Sequence, residues 1–424
     1  MNDTAVKLRC LKTGQLYNSD TASFYSEHGG LFEVAIDFQK VPSLEEFDCR
    51  LMSRKSIDRS GVWRFRELVL PIPESRMFCR GEGNTNLYEH ENLNRFSLDA
   101  KVQLKHEGEN PTGSFKDRGM TTAISMAKHL GYKAVACAST GNTSASMASY
   151  ARMAGLLPIV LIPDGKISTG KLSQALAYGA LTLQVEGNFD DALTAVQKVC
   201  SEQGIYLMNS LNPYRIEGQK AILIEALQQR GWVVPDWIVL PGGNLGNTSA
   251  VGKALREMLE LGLISKVPRI AVIQAAGANP FYKMFRDDLV QLSPMQPETF
   301  ATAIRIGNPV SWGKAARIIE ELQGVVLELD EKEIAEAKWE IDRCGIGAEP
   351  ASCCTLGGIR KLRELGHMDS GSDVLGILTG HLLKDPDSNL FVHTELASRE
   401  SSAPIKVSSK PQDILDLILK HLDA

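Results

Sequence analysis

From about residue 100 onward, short apolar runs alternate with stretches in which apolar residues return every three or four positions. Ala134–Ala138, Ile159–Ile162, Leu181–Val185, Trp237–Leu240, Ile270–Ile273 and Val374–Leu378 have strand length. Between most of them the spacing is helical, as at Ala192, Leu193, Val196, Val199 and Cys200. A run that is apolar throughout must bury both faces, so strands of this kind alternating with amphipathic helices predict an α/β chain with open, mostly parallel sheets covered by helices. Two sets, 134–185 and 237–378, predict a smaller α/β unit inserted between parts of a larger one. The first 75 residues are mixed, with strands at Val6–Leu8 and Leu31–Ile36 and short helices at Glu45–Arg54 and Val62–Leu70, before a break at Pro71-Ile-Pro73. At the other end, Ser398–Pro404 reads as a linker and Asp413–His421 as a closing helix whose Lys420 and His421 complement its dipole. The expected organisation is an N-terminal α+β region (1–75), a large domain (76–125 and 206–395), a small α/β domain (126–205) and a C-terminal linker and helix (396–424).

Composition narrows the class without naming a function. With 43% hydrophobic and 23% charged residues, the 424-residue chain is ordinary for a globular protein with a large core. A net charge of −5 with interspersed signs offers no footprint for nucleic acid or an acidic membrane surface, so any anion it binds needs a local site. Its eight cysteines contain no C-x-x-C, which argues against a zinc framework or a disulfide scaffold. The opening residues carry neither a basic nor an apolar segment, and no apolar window reaches roughly 18 residues, so the expectation is a soluble cytoplasmic protein unless an organellar transit peptide has been removed.

Ligands of open α/β sheets bind beyond the carboxyl ends of the strands, so the residues just past each apolar run are the places to seek chemistry. Pro111-Thr-Gly-Ser-Phe-Lys-Asp-Arg118 places Lys116 in a small-residue turn before an amphipathic stretch through Met120, Ala123, Ile124 and Ala127, hence at a helix N-terminus. A lysine there serves as a nucleophilic amine or an anion contact, although most lysines are merely solvated. After Ala138 comes Ser139-Thr-Gly-Asn-Thr-Ser-Ala-Ser146, more hydroxyls than one helix cap needs. After Leu240 comes Pro241-Gly-Gly-Asn-Leu-Gly-Asn247, whose glycines let a backbone approach a phosphate; it is neither a Walker loop nor a dinucleotide fingerprint. After Leu378, Thr379 is either a cap or a partner for a heterocycle nitrogen, and Arg215 in Asn209–Lys220 is either a phosphate or carboxylate contact or a surface arginine. One amine, one phosphate cup and one hydroxyl beside a ring nitrogen together fit pyridoxal phosphate.

These stretches closely resemble the threonine synthases, which are fold-type-II pyridoxal-phosphate enzymes with the tryptophan synthase β-like fold, from about residue 80 to 385. Gly187-Asn-Phe-Asp-Asp191, Asn209-Ser-Leu-Asn212 and Glu217-Gly-Gln-Lys220 add to the match, and Glu27-His-Gly-Gly-Leu-Phe-Glu-Val34 resembles the plant-type branch. The resemblance implies that Lys116 is the Schiff-base lysine and catalytic residue, that Asn142 bonds the cofactor's 3′-oxygen, that Gly243, Asn244, Leu245, Gly246 and Asn247 cradle its phosphate, and that Thr379 faces the pyridine nitrogen. It further implies that Ser139, Thr140 and Thr143 hold the substrate carboxylate and Asn209, Ser210 and Arg215 the substrate phosphate. The implied reaction converts O-phospho-L-homoserine and water to L-threonine and phosphate by γ-elimination and β-addition. A homodimer is implied, and the plant-type likeness raises the question of activation by S-adenosylmethionine. Alternatives are cysteate synthase, cysteine synthase, threonine dehydratase or a non-catalytic cofactor-binding relative. Two departures stand out: Cys10-Leu-Lys-Thr13 lacks the second cysteine of a metal ribbon, so no zinc is expected, and Leu382 stands where the family motif Thr-Gly-His-Gly-Leu-Lys has glycine.

Overall fold

The computed structural model describes residues 5–21, 23–164, 169–187, 189–396 and 403–422. Residues 398–402 of the expected linker and Asn188 of the Gly187–Asp191 motif lie outside them. The strands are β1 (Val6–Cys10), β2 (Leu16–Asn18), β3 (Phe32–Ile36), β4 (Leu87–Tyr88), β5 (Lys101–His106), β6 (Ala134–Ala138), β7 (Leu157–Pro163), β8 (Leu181–Val185), β9 (Tyr206–Leu207), β10 (Trp237–Pro241), β11 (Arg269–Ala275), β12 (Val325–Leu329) and β13 (Asp373–Leu378). They form three sheets. A six-stranded sheet runs β12-β11-β10-β13-β5-β4, a four-stranded sheet β8-β7-β6-β9, and a three-stranded sheet β2-β1-β3. The four-stranded sheet is parallel throughout, as is the six-stranded one apart from β4 at its edge. β10 is buried at every position, as its unbroken apolar run requires.

The small sheet enters the chain between β5 and β10, and Tyr206–Leu207 pairs with β6 in it. The antiparallel N-terminal sheet rests on the large unit through two lysines, since Lys253 Nζ donates to the Val34 carbonyl and Lys314 Nζ to the Phe32 carbonyl. Strand β5 holds two charged-type side chains in the core, Lys105 and His106, at 0% and 1% exposure. Both are satisfied. Lys105 Nζ donates to the Thr85 carbonyl at 2.7 Å and pairs with Glu225, while His106 Nε2 meets the Gly347 carbonyl at 2.8 Å.

The helix Lys116–His129 crosses the helix Pro213–Gln229 at glycine contacts. A Cβ on Gly218 would lie 1.9 Å from the Arg118 carbonyl oxygen, and one on Gly119 would lie 2.8 Å from the Arg215 carbonyl oxygen. Backbone therefore packs on backbone there. Underneath, Arg118, Lys105 and Arg64 converge on Glu225, and Glu107 adds a second carboxylate on Arg118 at 2.6 Å. These groups are all buried, so the crossing is fixed in place by paired charges as well as by packing. Among the described residues no helix is long and apolar enough to cross a membrane.

Candidate active site

Segments that follow β5, β6, β10 and β13 carry the candidate residues, and hydrogen bonds and close contacts link them to one another. The segment following β5 turns through Asn110–Phe115 into the helix that begins at Lys116, with Phe115 as a cap residue that supplies no side-chain bond. This turn pairs with the residues after β13: Phe115 N–H donates to the Thr379 carbonyl at 3.0 Å, His381 N–H to the Gly113 carbonyl at 3.0 Å, and Ser114 bridges Gly380. Lys116 and Thr379 are thereby held on adjacent chain segments. Burial, helped by Arg215's charge and opposed by the Glu349 carboxyl, brings the Lys116 amine down to about 7. A lysine in that range is a usable nucleophile and base near neutrality.

The glycine crossing packs Arg215 on the lysine helix, where a Gly119 Cβ would lie 3.2 Å from the Arg215 Cβ, and the Arg215 charge acts on Lys116. Arg215 is buried, donates from a terminal nitrogen to the Met208 carbonyl at 2.8 Å, and leaves its Nε without a partner. Burial lowers its guanidinium to about 10. A buried cation facing a second cationic-type group asks for an anion. From the next turn of the same helix, Gln219 touches both sides of the site: its Nε2 is 3.1 Å from where a Gly119 Cβ would lie and its Oε1 4.0 Å from that of Gly246.

Gly246 opens the helix Gly246–Glu260 after β10. Its cap residue, Leu245, has φ 62° and offers no side-chain cap, so the first-turn amides keep the donors that a helix N-terminus leaves unpaired. Asn244 is pinned from outside, its side-chain oxygen accepting from Val310 N–H at 3.4 Å and its carbonyl from Ser311 N–H at 3.2 Å. Both side-chain atoms of buried Asn247 lack a partner, as do Thr248 Oγ1, Gln219 Oε1 and Ser114 Oγ. Orphaned polar atoms around an uncapped helix end, with an unpaired arginine nitrogen and a low-pKa lysine nearby, fit a phosphate-bearing aldehyde.

The hydroxyl loop after β6 lies on the small-sheet side. Gly141, rather than a hydroxyl, precedes the helix Asn142–Met153, and no side chain caps it. Ser139 Oγ accepts from Gly141 N–H at 3.2 Å, and Ser139, Thr140 and Thr143 are half-buried around Asn142. Asn142 Nδ2 donates to Glu349 at 3.1 and 3.3 Å. Asn209 differs from the other expected substrate contacts: its Oδ1 accepts from Ala138 N–H and its Nδ2 donates to the Ala138 carbonyl, both at 3.0 Å. It thus continues the ladder at the end of β6 and fixes the start of the hydroxyl loop. Ser210 beside it is half-buried.

Three polar residues at the site escaped the sequence reading. Glu349 is buried between Asn142 and Gly380, and a Cβ on Gly380 would lie 2.4 Å from its carboxylate. Burial pushes its carboxyl up, against the bond from Asn142 and the charges of Lys384 and Lys116. Ser352, one turn later, bonds Thr379 Oγ1 at 2.9 Å. Asp117 accepts from Thr112 of the lysine turn and from Ser146 of the small unit, and burial raises its carboxyl to about 6. Glu349-Pro350 at the start of a helix was the one available signal, an acid followed by proline at the first helical position. Leu382 is also explained: it packs on Gly347, where a Cβ would fall 2.3 Å from its Cδ2.

The model of the pyridoxal-phosphate dependent enzymes matches residues 79–380. The chain belongs to that family. It is 43% identical to the threonine synthase of Methanocaldococcus jannaschii over 416 residues, 98% of this chain and 99% of that protein. The chloroplastic threonine synthase 2 of Arabidopsis thaliana is 36% identical over 96% of this chain and 82% of its own. The solved threonine synthase of Escherichia coli shares the fold, with a TM-score of 0.69 at 20% identity, covering 98% of this chain and 100% of that one. The family's cofactor, an aldehyde with a phosphate, is of a kind that these residues fit, since they offer a buried amine and an uncapped helix end.

Proposed function

We propose that the chain is a threonine synthase, converting O-phospho-L-homoserine and water to L-threonine and phosphate. The observation that carries this reading is the buried Arg215 beside Lys116, a second anion-seeking group in addition to the glycine turn. One phosphate site serves a cofactor. A second suits a phosphorylated substrate, and the named relatives are threonine synthases.

When bound, pyridoxal phosphate supplies an aldehyde for an amine and a ring that draws electrons from the carbon bearing the substrate's amino group. Lys116 Nζ is the capturing amine and, once released, the base that takes the substrate's α-proton, a role its lowered basicity permits near neutral pH. Amides of Gly243, Asn244, Leu245, Gly246 and Asn247 hold the cofactor phosphate; Asn142 and Thr379 orient the ring. Ser139, Thr140 and Thr143 bind the substrate carboxylate through hydroxyls and backbone donors. Arg215 and Ser210 hold the substrate phosphate in line for departure, with Asn209 fixing the adjoining strand end. The protein acts as a homodimer, on the strength of the family resemblance. S-adenosylmethionine is tested as an activator in the same assay.

The deciding experiment measures phosphate release from O-phospho-L-homoserine by the purified holoenzyme, with threonine identified as the co-product. O-phospho-L-serine with and without sulfite is the competing substrate. Turnover of the serine ester in preference to the homoserine ester defeats the assignment.

A further inference from the structure

The first turn of the helix Pro350–Glu364 stands behind both residues assigned to the cofactor ring. Its cap residue Glu349 receives Asn142, and Ser352 receives Thr379. We propose that Glu349 and Ser352 are positioning residues that set where the hydrogens of Asn142 and Thr379 point, making each of them a donor toward the ring. The inference rests on the assignment of Asn142 and Thr379 made above.

Counting hydrogens at Ser352 gives the direction at Thr379. Ser352 Oγ accepts from Thr379 N–H and from Gly380 N–H, each at 2.9 Å, which occupies both of its lone pairs. Its one hydrogen must then be donated. Thr379 Oγ1 at 2.9 Å is nearer than the Gly380 carbonyl at 3.4 Å, which already accepts from Glu349 N–H at 3.0 Å. With Thr379 Oγ1 accepting from Ser352, the threonine's own hydrogen turns away from Ser352 and is presented to the ring position.

Asn142 is set by charge. The group facing Glu349 sits 3.1 and 3.3 Å from the two carboxyl oxygens, so it is the NH₂ end of the amide; the carbonyl end would meet like partial charges there. One amide hydrogen is directed to Glu349 and the other is left for an oxygen in the cleft. Both ring contacts are therefore donors, and the ring that fits them carries an unprotonated oxygen at one end and an unprotonated nitrogen at the other. Gly380 is part of the same device, because a Cβ there would lie 2.4 Å from the Glu349 carboxylate.

The test reconstitutes the holoenzyme with cofactor carrying ¹⁵N in the ring and records the nitrogen resonance and the visible absorbance, alongside kcat and KM. Wild type and Thr379→Ser, which keeps a hydroxyl for Ser352 to address, are expected to show the same hydrogen-bonded, unprotonated nitrogen. Ser352→Ala is expected to move that resonance and to lower kcat about tenfold with KM within twofold, the scale of one lost hydrogen bond. Glu349→Gln, which lets the Asn142 amide turn over, is expected to shift the absorbance band and weaken cofactor retention by a similar factor. If Ser352→Ala does not accumulate as folded protein, Ser352→Cys, a much weaker hydrogen donor of similar size, is expected to displace the resonance in the same sense. A wild-type resonance in Ser352→Ala or Ser352→Cys, while Thr379→Val shifts it, overturns the inference and leaves Thr379 at the ring. An unmoved resonance in Thr379→Val instead removes the ring assignment itself.

Discussion

Gly218→Ala adds one methyl group at the crossing of the two helices that bring Lys116 and Arg215 together. The new Cβ would stand 1.9 Å from the Arg118 carbonyl oxygen, 2.7 Å from its carbon and 2.6 Å from Thr122 Oγ1, whereas ordinary contact begins at 3.4 Å. Two of the three obstacles are backbone, so a rotamer change does not relieve the clash, and the helices must part by about 1.5 Å. Overpacking of this kind typically costs about 1–3 kcal/mol, partly offset by the roughly 1 kcal/mol that alanine gains over glycine inside a helix. The catalytic effect should exceed the effect on stability, because a displacement of about 1 Å at a reacting group can cost on the order of 100-fold. The measurements are chemical denaturation of the apo-protein and kcat/KM of the holoenzyme. Gly246→Ala is the control: its Cβ would meet Ile216 at 3.5 Å, an ordinary contact, so apo-protein stability should be unchanged or slightly raised. Wild-type kcat/KM and stability in Gly218→Ala would show that the crossing does not set the Lys116–Arg215 geometry.

The buried charges lead to further expectations. Free Lys116, lowered to about 7, should give apo-protein a rate of cofactor capture that rises with pH through about 7 and then levels; a rise continuing to about 10 would contradict the lowered basicity. By linkage, a base lowered on folding makes the apo-protein less stable below that pH and relieves the penalty as pH climbs from about 7 toward about 10.4, which pH-dependent denaturation checks against Lys116→Ala. Arg215→Ala should raise KM for the phosphorylated substrate by at least about tenfold and leave cofactor absorbance intact, as for loss of a charge-assisted bond. Glu225→Gln should destabilise by roughly 3–5 kcal/mol, because Arg64, Lys105 and Arg118 lose their shared counter-charge. Those cations hold the Glu225 carboxyl well below the usual carboxylate range, so its contribution is present above about pH 4.3 and is lost only in strong acid. Leu382→Gly should lower stability by about 1–2 kcal/mol through lost packing on Gly347, with kcat within twofold, read by thermal unfolding and steady-state assay.

The legible part of the fold was the part whose sequence is mainly apolar over strand length, whether the strand is fully buried, as at Trp237–Leu240, or largely exposed at a sheet edge, as at Leu181–Val185. Ala134–Ala138 and Leu181–Val185 are strands with the boundaries their apolar runs predict, and Trp237–Leu240 extends by one residue. β5 and β12 were missed for a physical reason. Lys101-Val-Gln-Leu-Lys-His106 contains four polar residues, and the two that are buried, Lys105 and His106, are tolerated because partners as distant as Glu225 and Gly347 satisfy them. Val325–Leu329 carries Glu328, which accepts from Asn279. A local pattern does not contain the long-range partner that makes a buried charge tolerable.

The candidate site divides along the same line. The glycine turn and Thr379 lie immediately beyond strand ends, where topology alone says ligands bind, and Lys116 stands in a small-residue turn that opens an amphipathic helix, so their chemistry could be read in place. Asn209 sits in a matching motif yet directs its amide to the Ala138 backbone, which spacing alone does not foretell. Glu349 caps, and Ser352 lies in the first turn of, a helix that comes before β13 in the chain, and they face the site because Gly380 admits the one and the end of β13 donates two amides to the other. Their role emerges from hydrogens counted across three separate chain segments. Residues that touch a ligand are constrained by the ligand and fall into motifs. Residues that orient those contacts are constrained by the fold, and they become visible once the fold has brought their partners within 3 Å.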